Sequence, residues 1–119
     1  MKLLTKTIEK KLTDRNALMA QRNRADCHDF FAEDEVIVKY WNPYGIGTWL
    51  IMSGEKLEDG DWLLFGLCEL QEREWGSVLL SELEDVKYLN HPRLTLERDL
   101  YYDGTYADLQ QLFREGRRY

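Results

Sequence analysis

The chain has 119 residues, 44% hydrophobic and 32% charged, a balance that fits one folded domain over residues 1–119 and excludes a disordered chain. Its net charge of −6 argues against wrapping a nucleic acid, because an acidic body repels phosphates. No apolar run reaches the roughly 18 residues that a membrane-spanning helix needs. The opening MKLLTKTIEKKL breaks its apolar run after two leucines, so we expect no signal peptide and a cytoplasmic protein with reduced thiols.

The first 24 residues predict helical structure with an excess of basic side chains. Leu4, Ile8 and Leu12 recur at every fourth position and form a narrow apolar stripe. Thr13 could either interrupt this helix or cap a second one that begins at Asp14. The stretch holds seven basic and two acidic side chains, and six of the basic ones are candidate phosphate contacts: Lys6, Lys10, Lys11, Arg15, Arg22 and Arg24. The alternative is that they lie against the protein's own acidic remainder.

Three strands are predicted after a polar loop, ADCHDFFAEDE. The segments VIVKYW at 36–41 and TWLIMS at 48–53 are rich in β-branched and aromatic residues. The pair Asn42-Pro43, followed by two glycines, predicts the turn between them. Asp59-Gly60 predicts a hairpin turn before WLLFGLCEL at 62–70, which is nearly all apolar and is expected to be a central strand.

The following segments predict a short strand and a short helix. QEREWG at 71–76 is expected to turn the chain back into a fourth strand, SVLL at 77–80. SELE matches a capping box, in which Ser81 and Glu84 each accept a hydrogen bond from the amide of the other, ahead of a helix at 82–86.

A fifth strand and a last helix complete the predicted fold. LTLERDLYY at 94–102 alternates so that Glu97 and Asp99 share one face, a pattern typical of an edge strand. Tyr106, Leu109 and Phe113 have helical spacing, and a glycine at 116 would end that helix. The sequence therefore predicts an α+β domain, with an antiparallel sheet of about four to five strands, an N-terminal helix and a C-terminal helix.

Several of these segments also occur together in one protein family. The shared blocks are MKLLTKTIEKKL, TWLI, FGL followed by EWGSVLLSELEDV, and LERDLYY, and they span most of the chain. With these blocks the sequence resembles a family of small uncharacterised bacterial proteins, a domain of unknown function often carried on plasmids, phages and integrative elements. The resemblance implies a genomic setting and no catalytic residue.

Aromatic and acidic side chains are the candidate protein-binding residues. Trp41, Tyr44 and Trp75 are expected near turns, and Trp and Tyr dominate interface hot spots. The alternative is that most of these rings belong to the core, where aromatics supply much of the buried area. Glu97 and Asp99 could join such a surface, act as an acid–base pair, or only discourage edge pairing of the strand.

Metal and nucleophile chemistry has little support. The stretch DCHD at 26–29 would need a further ligand pair, and His91 is the only other histidine, so we expect no metal and no cofactor. Cys68 lies in the most apolar strand and is expected to be buried and unreactive. Cys27 beside His28 would be reactive only if the fold brings another group close.

Three hypotheses of function follow. The leading one is a non-enzymatic binding or regulatory protein of a mobile genetic element, which docks an acidic, aromatic-tipped surface on a protein partner. An inhibitor of a nucleic-acid-handling defence enzyme would be one form of it. The alternative is a nucleic-acid-binding accessory protein that uses the basic N-terminal segment. The second alternative is a small enzyme that uses Glu97, Asp99 or His28.

Overall fold

The computed structural model of the chain describes residues 3–22, 30–70, 72–86 and 95–115. The elements in chain order are α1 (Lys6–Gln21), β1 (Val38–Trp41), β2 (Thr48–Lys56), β3 (Trp62–Glu69), β4 (Arg73–Leu79), α2 (Leu80–Glu84), β5 (Glu97–Asp99) and α3 (Tyr106–Glu115). The strands form one five-stranded antiparallel sheet in the order β4-β3-β2-β1-β5. The predicted α+β class, with a helix at each end of the chain, is confirmed. In the described part of the chain, no helix is long and apolar enough to cross a membrane.

α1 is one continuous helix. Thr5 caps its start, since its Oγ1 accepts a hydrogen bond of 3.2 Å from the amide of Ile8. Thr13 neither interrupts the helix nor begins another, because its hydroxyl donates to the carbonyl of Glu9 over 2.9 Å within the helix. The buried stripe extends the predicted one by two turns and consists of Ile8, Leu12 and Met19.

The sheet has apolar packing on both sides, because successive side chains of a strand point to opposite faces. The first face carries Tyr40, Trp49 and Ile51, which pack with side chains of α1 and α2: Ile8, Leu12, Leu80 and Leu83. The second face carries Leu50 and Leu67, which pack with side chains of α3: Leu109 and Leu112. β2 therefore lies in the middle of the core, with helices contributing on either side.

β2 and β3 approach each other unusually closely at Gly66. A Cβ atom at this position would overlap the carbonyl oxygen of Leu50 and lie 2.8 Å from its carbonyl carbon. The register between the two strands shifts between Ile51 and Ser53, which is the mark of a local bulge. Glycine is thus required here by space, and β3 is an interior strand next to the middle one.

The predicted turn before β4 is too long. Leu70 donates its amide to the carbonyl of Glu72 over 3.2 Å, so the chain reverses within a few residues and β4 begins at Arg73. Trp75 therefore lies in a strand and not at a turn, because tertiary packing of its ring outweighs the polar character of QEREWG.

The predicted capping box at Ser81 is wrong by two positions. α2 begins after Leu79, whose amide donates to Glu82 Oε1 over 3.0 Å. Asp61, which precedes β3, instead accepts hydrogen bonds from the hydroxyl of Ser81 over 2.6 Å and from its amide over 3.2 Å. On α3, Leu112 is buried in place of the predicted Phe113, which is 43% exposed.

Candidate protein-binding face

The pairing of β1 with β5 brings three of the predicted site residues together. Glu97 is the register partner of Trp41, and Asp99 is the partner of Lys39. Directly paired residues on antiparallel strands point to the same side, so all of these lie on the second face of the sheet. We call this area the β1–β5 face and define it by Lys39, Trp41, Glu97 and Asp99.

The ring of Trp41 is held in place but not covered. The ammonium of Lys39 lies 5.3 Å from the centroid of the Trp41 ring and 5.5 Å from that of Tyr102. Cations at such distances are attracted to the electron-rich ring faces. Trp41 is only half-buried, whereas its neighbour Tyr40 is fully buried on the other face of the sheet. Trp41 is therefore a preoriented aromatic side chain that is open to a partner.

A groove with a volume of about 440 Å³ runs beside Trp41. Its apolar rim comes from Ile46 in the β1–β2 turn and Leu70 in the β3–β4 turn, which are 69% and 51% exposed. Glu69 and Lys39 supply the charged part of the lining. The groove thus continues the β1–β5 face with exposed apolar side chains, which favour burial in an interface.

The β1–β2 turn presents Tyr44 and Ile46 at the end of the hairpin. The backbone amide of Asn42 donates to the carbonyl of Gly47 over 2.8 Å. The side-chain oxygen of Asn42 accepts a hydrogen bond from the amide of Tyr44 over 2.9 Å. Gly47 has a φ of 138°, a conformation that few residues other than glycine adopt. This closed turn leaves the Tyr44 side chain 41% exposed, next to Ile46.

Trp75 is not part of the β1–β5 face. It lies on β4, with β2 and β3 between it and Trp41. Its ring stacks on Phe65 at 6.0 Å and meets Tyr106 at 5.4 Å between centroids. The other two tryptophans, Trp49 and Trp62, are buried in the core.

The acidic pair Glu97 and Asp99 lies half-exposed on the edge strand. Asp99 Oδ1 accepts the amide of Tyr101 over 2.8 Å, which fixes that carboxylate beside the turn that follows β5. Across the described ranges, no group of three or more His, Cys, Asp or Glu side chains could hold a metal ion. The arrangement suits ionic contact with a partner.

Arg22 joins the end of α1 to the body of the protein. Its guanidinium donates to both carboxylate oxygens of Asp34, over 2.7 and 2.9 Å, and stacks 3.7 Å from the centroid of the Phe31 ring. The hydrogen bond from Arg22 holds the pKa of the Asp34 carboxyl below its usual value. Arg22, one of the predicted phosphate contacts, is therefore paired with an acidic side chain of the protein itself.

The other basic residues of the first segment differ in their surroundings. Arg15 donates to the carbonyl oxygens of Met52 and Glu35, over 2.6 and 2.8 Å. The exposed ammonium of Lys10 contacts Asp14 at 2.8 Å. Two more of the predicted phosphate contacts, Lys6 and Lys11, have exposed side chains. Arg24, the last of the six, lies outside the described residues.

Cys68 has the surroundings of an unreactive thiol. It is half-buried between the two neighbouring strands, and burial raises its pKa to about 11. The DCHD stretch, with Cys27 and His28, and also His91 lie outside the described residues, so the predictions made for them remain predictions.

Five contributors to the site were not among the predicted residues: Lys39, Ile46, Glu69, Leu70 and Tyr102. The spacing of Lys39 and Trp41, two apart on a strand, would have placed both on one face. Ile46, between two glycines of a turn, is an apolar residue in a position that is usually polar. Nothing in the sequence indicates that the Tyr102 ring lies near Lys39.

Comparison with known proteins agrees with the shared sequence blocks. No curated protein and no solved structure matches the chain significantly. One family model matches residues 3–115, which covers every helix and strand of the fold. The chain therefore belongs to the family described as "Protein of unknown function (DUF2958)".

Proposed function

We propose that this chain is a non-enzymatic binding protein of a mobile genetic element, which docks its β1–β5 face on a partner protein. The observation that carries the proposal is the position of Trp41. Its ring is half-exposed, oriented by Lys39 and in register with the carboxylate-bearing Glu97. Half-exposed, preoriented aromatic rings at the centre of a mixed apolar and polar surface are typical of interface hot spots.

The surroundings of Trp41 match the composition of an interface. Ile46 and Leu70 line the same groove as the Trp41 ring and are exposed, and the charged side chains of Lys39 and Glu69 line it too. An apolar centre with a polar rim excludes water from the central contacts and thereby strengthens them. Since the β1–β2 turn is closed by its own hydrogen bonds, little conformational entropy is lost when a partner binds.

The charges favour a partner with a basic surface. Glu97 and Asp99 lie on the β1–β5 face, while the whole chain carries −6. Complementary charge raises the association rate and suppresses wrong partners. Basic grooves that accept phosphates are typical of nucleic-acid-handling enzymes, so the proposed partner is such an enzyme of the host defence. The carboxylates of Glu97 and Asp99 would occupy its groove in place of the phosphates of its nucleic acid and so inhibit it. The proposed location is the cytoplasm, where the free thiol of Cys68 stays reduced.

The test is affinity capture from a bacterial lysate with four baits that differ only in one surface. The wild-type chain is compared with Trp41→Ala, with Glu97→Lys/Asp99→Lys, and with Leu18→Ala as a control, which removes a 40% exposed apolar side chain on α1, outside the face. We expect a basic protein that the wild type and the control retain equally. Both face variants should bind it at least about tenfold more weakly. Binding should also weaken as salt is raised.

Two results would contradict the proposal. One is that no captured protein distinguishes the wild type from the two face variants. The other is that purified partner and chain bind with the same affinity after Trp41→Ala. Circular dichroism melting of each variant separates loss of binding from loss of folding, since a half-exposed ring and two half-exposed carboxylates contribute little to the core.

A further inference from the structure

The two edges of the sheet are built differently. β5 has three residues, all of them charged, and such short charged strands discourage pairing with another chain. β4, at the other edge, has seven residues. Its register against β3 is unbroken from Leu79 to Arg73, and its sequence REWGSVL contains neither proline nor lysine. The charged side chains of β4, Arg73 and Glu74, are confined to its first two residues, so the rest of this edge carries neither the charges nor the prolines that discourage pairing.

A small notch between two aromatic side chains lies beside this edge on the second face. It has a volume of about 160 Å³ and is lined by Trp75, Gln110, Phe113 and Arg114. The Trp75 ring is held by its contacts with Phe65 and Tyr106, while Phe113 is 43% exposed. On a strand added to β4, the residue opposite Trp75 would point to the same side and so reach this notch.

The opposite side of β4 carries negative charge. Glu74 precedes Trp75 and therefore points to the other face of the sheet, where its side chain is exposed. Glu72, at the preceding turn, is exposed as well. On an added strand, the neighbour of the residue in the notch would lie beside Glu74, where a basic side chain gains an ionic contact.

Charge also decides which kind of chain fits. A second copy of this protein carries the same −6, so long-range repulsion opposes pairing of two β4 edges. A basic segment is attracted instead. Strand addition to an exposed edge is a recurring mode of peptide recognition, with affinity from main-chain hydrogen bonds and specificity from side-chain pockets.

We propose that β4 binds an extended segment of a partner protein by strand addition. A large apolar side chain of the segment enters the notch between Trp75 and Phe113, and an adjacent lysine or arginine contacts Glu74. This site lies at the opposite edge of the sheet from the β1–β5 face and does not depend on the function proposed for that face.

The experiment begins with a phage-displayed library of random peptides panned against the full chain. We expect enriched sequences with a large apolar residue next to a basic one. A fluorescent synthetic copy of the most enriched peptide is then titrated with the variants and followed by anisotropy. Glu74→Lys and Phe113→Ala should each weaken binding by about tenfold or more. The matched controls, Glu58→Lys in the exposed β2–β3 turn and Leu18→Ala on α1, should bind like the wild type. Trp41→Ala is titrated as well, to identify a peptide that binds the β1–β5 face instead.

Hydrogen exchange of the backbone amides identifies strand addition directly. In the complex, several β4 amides that exchange rapidly in the free protein should exchange at least about tenfold more slowly. The proposal is overturned if no peptide is enriched, if Glu74→Lys and Phe113→Ala bind like the controls, or if protection appears elsewhere than on β4. A peptide that loses affinity with Trp41→Ala would belong to the β1–β5 face and would also overturn it.

Discussion

Adding one methyl group at Gly66 is expected to destabilise the fold far more than adding it at Gly76, although the two glycines are register partners on neighbouring strands. At Gly66 the new Cβ would overlap the carbonyl oxygen of Leu50 and lie 2.9 Å from the Cα of Ile51. Both atoms are backbone of β2, the middle strand, which cannot move aside as a flexible side chain can. At Gly76 the new Cβ meets no atom within 4 Å.

The size of the difference follows from the nature of the contact. Overpacking a core costs about 1–3 kcal/mol, and we expect about 3 kcal/mol for Gly66→Ala because the clash is with backbone. Gly76→Ala should leave the free energy of unfolding unchanged or raise it by up to about 1 kcal/mol, since alanine restricts the unfolded chain. For a chain of this length, 3 kcal/mol lowers Tm by roughly 10–18 °C.

The assay is urea unfolding of both variants and the wild type, followed by tryptophan fluorescence. The expected result is an unfolding free energy about 3 kcal/mol lower for Gly66→Ala, with similar slopes for all three proteins. If the two variants differ by less than about 1 kcal/mol, the close approach of β2 and β3 described above is wrong.

Three further outcomes are expected. Asp34→Asn breaks a part-buried bidentate ion pair with Arg22 and should lower the free energy of unfolding in urea by about 1–3 kcal/mol. Because folding lowers the pKa of Asp34, the ionised carboxyl contributes fully to the free energy of unfolding above about pH 4, and this contribution is lost as pH falls through the pKa of the folded state. If the wild type exceeds Asp34→Asn in unfolding free energy by the same amount at pH 2 as at pH 7, this reasoning is wrong. The Cys68 thiol, with a pKa of about 11, should react with iodoacetamide at pH 8 much more slowly in the folded than in the unfolded chain, and equal rates would refute its burial. A fluorescent oligonucleotide titrated with the protein at low salt should show no anisotropy change, because Lys10, Arg15 and Arg22 bind groups within the protein itself. Salt-sensitive binding that the double substitution Lys6→Glu/Lys11→Glu removes would favour the nucleic-acid alternative.

The sequence was most informative where local geometry alone decides the structure. β-Branched and aromatic residues located β1 and β2, and an apolar run located β3. β4 and β5 were predicted with other bounds than the structure has, and Asp59-Gly60 located a turn in which Gly60 has a φ of 90°. The spacing of Leu4, Ile8 and Leu12 located α1, but its continuation past Thr13 depends on packing of Met19 with the apolar side chains on the second face of the sheet. Local patterns cannot report such distant contacts.

The same reasoning explains the errors at Trp75 and Ser81. QEREWG resembles a turn by composition, and only the stacking of Trp75 between Phe65 and Tyr106 makes it part of a strand. Ser81 matches a capping motif, but Asp61 from a different hairpin binds its hydroxyl. In both cases a tertiary partner outweighs a local signal.

The candidate site could be predicted in its residues but not in its assembly. Trp41, Glu97 and Asp99 are recognisable as chemistry-bearing residues on strands, yet their proximity depends on β5 crossing to pair with β1. β1 and β5 are far apart in the chain, so their pairing depends on packing of the whole core and cannot be predicted from the local sequence of either strand. Trp75, predicted in the same group, lies at the other edge for the same reason.

The most direct test of the central claim is site-specific photo-crosslinking in living cells. p-Benzoylphenylalanine replaces Tyr44, which is 41% exposed in the β1–β2 turn that follows Trp41 in the chain. The account predicts a discrete crosslinked product with a basic protein, absent when Trp41→Ala is combined with the probe and absent when the probe replaces Glu58 instead. No product at position 44, or the same product from position 58, would contradict it.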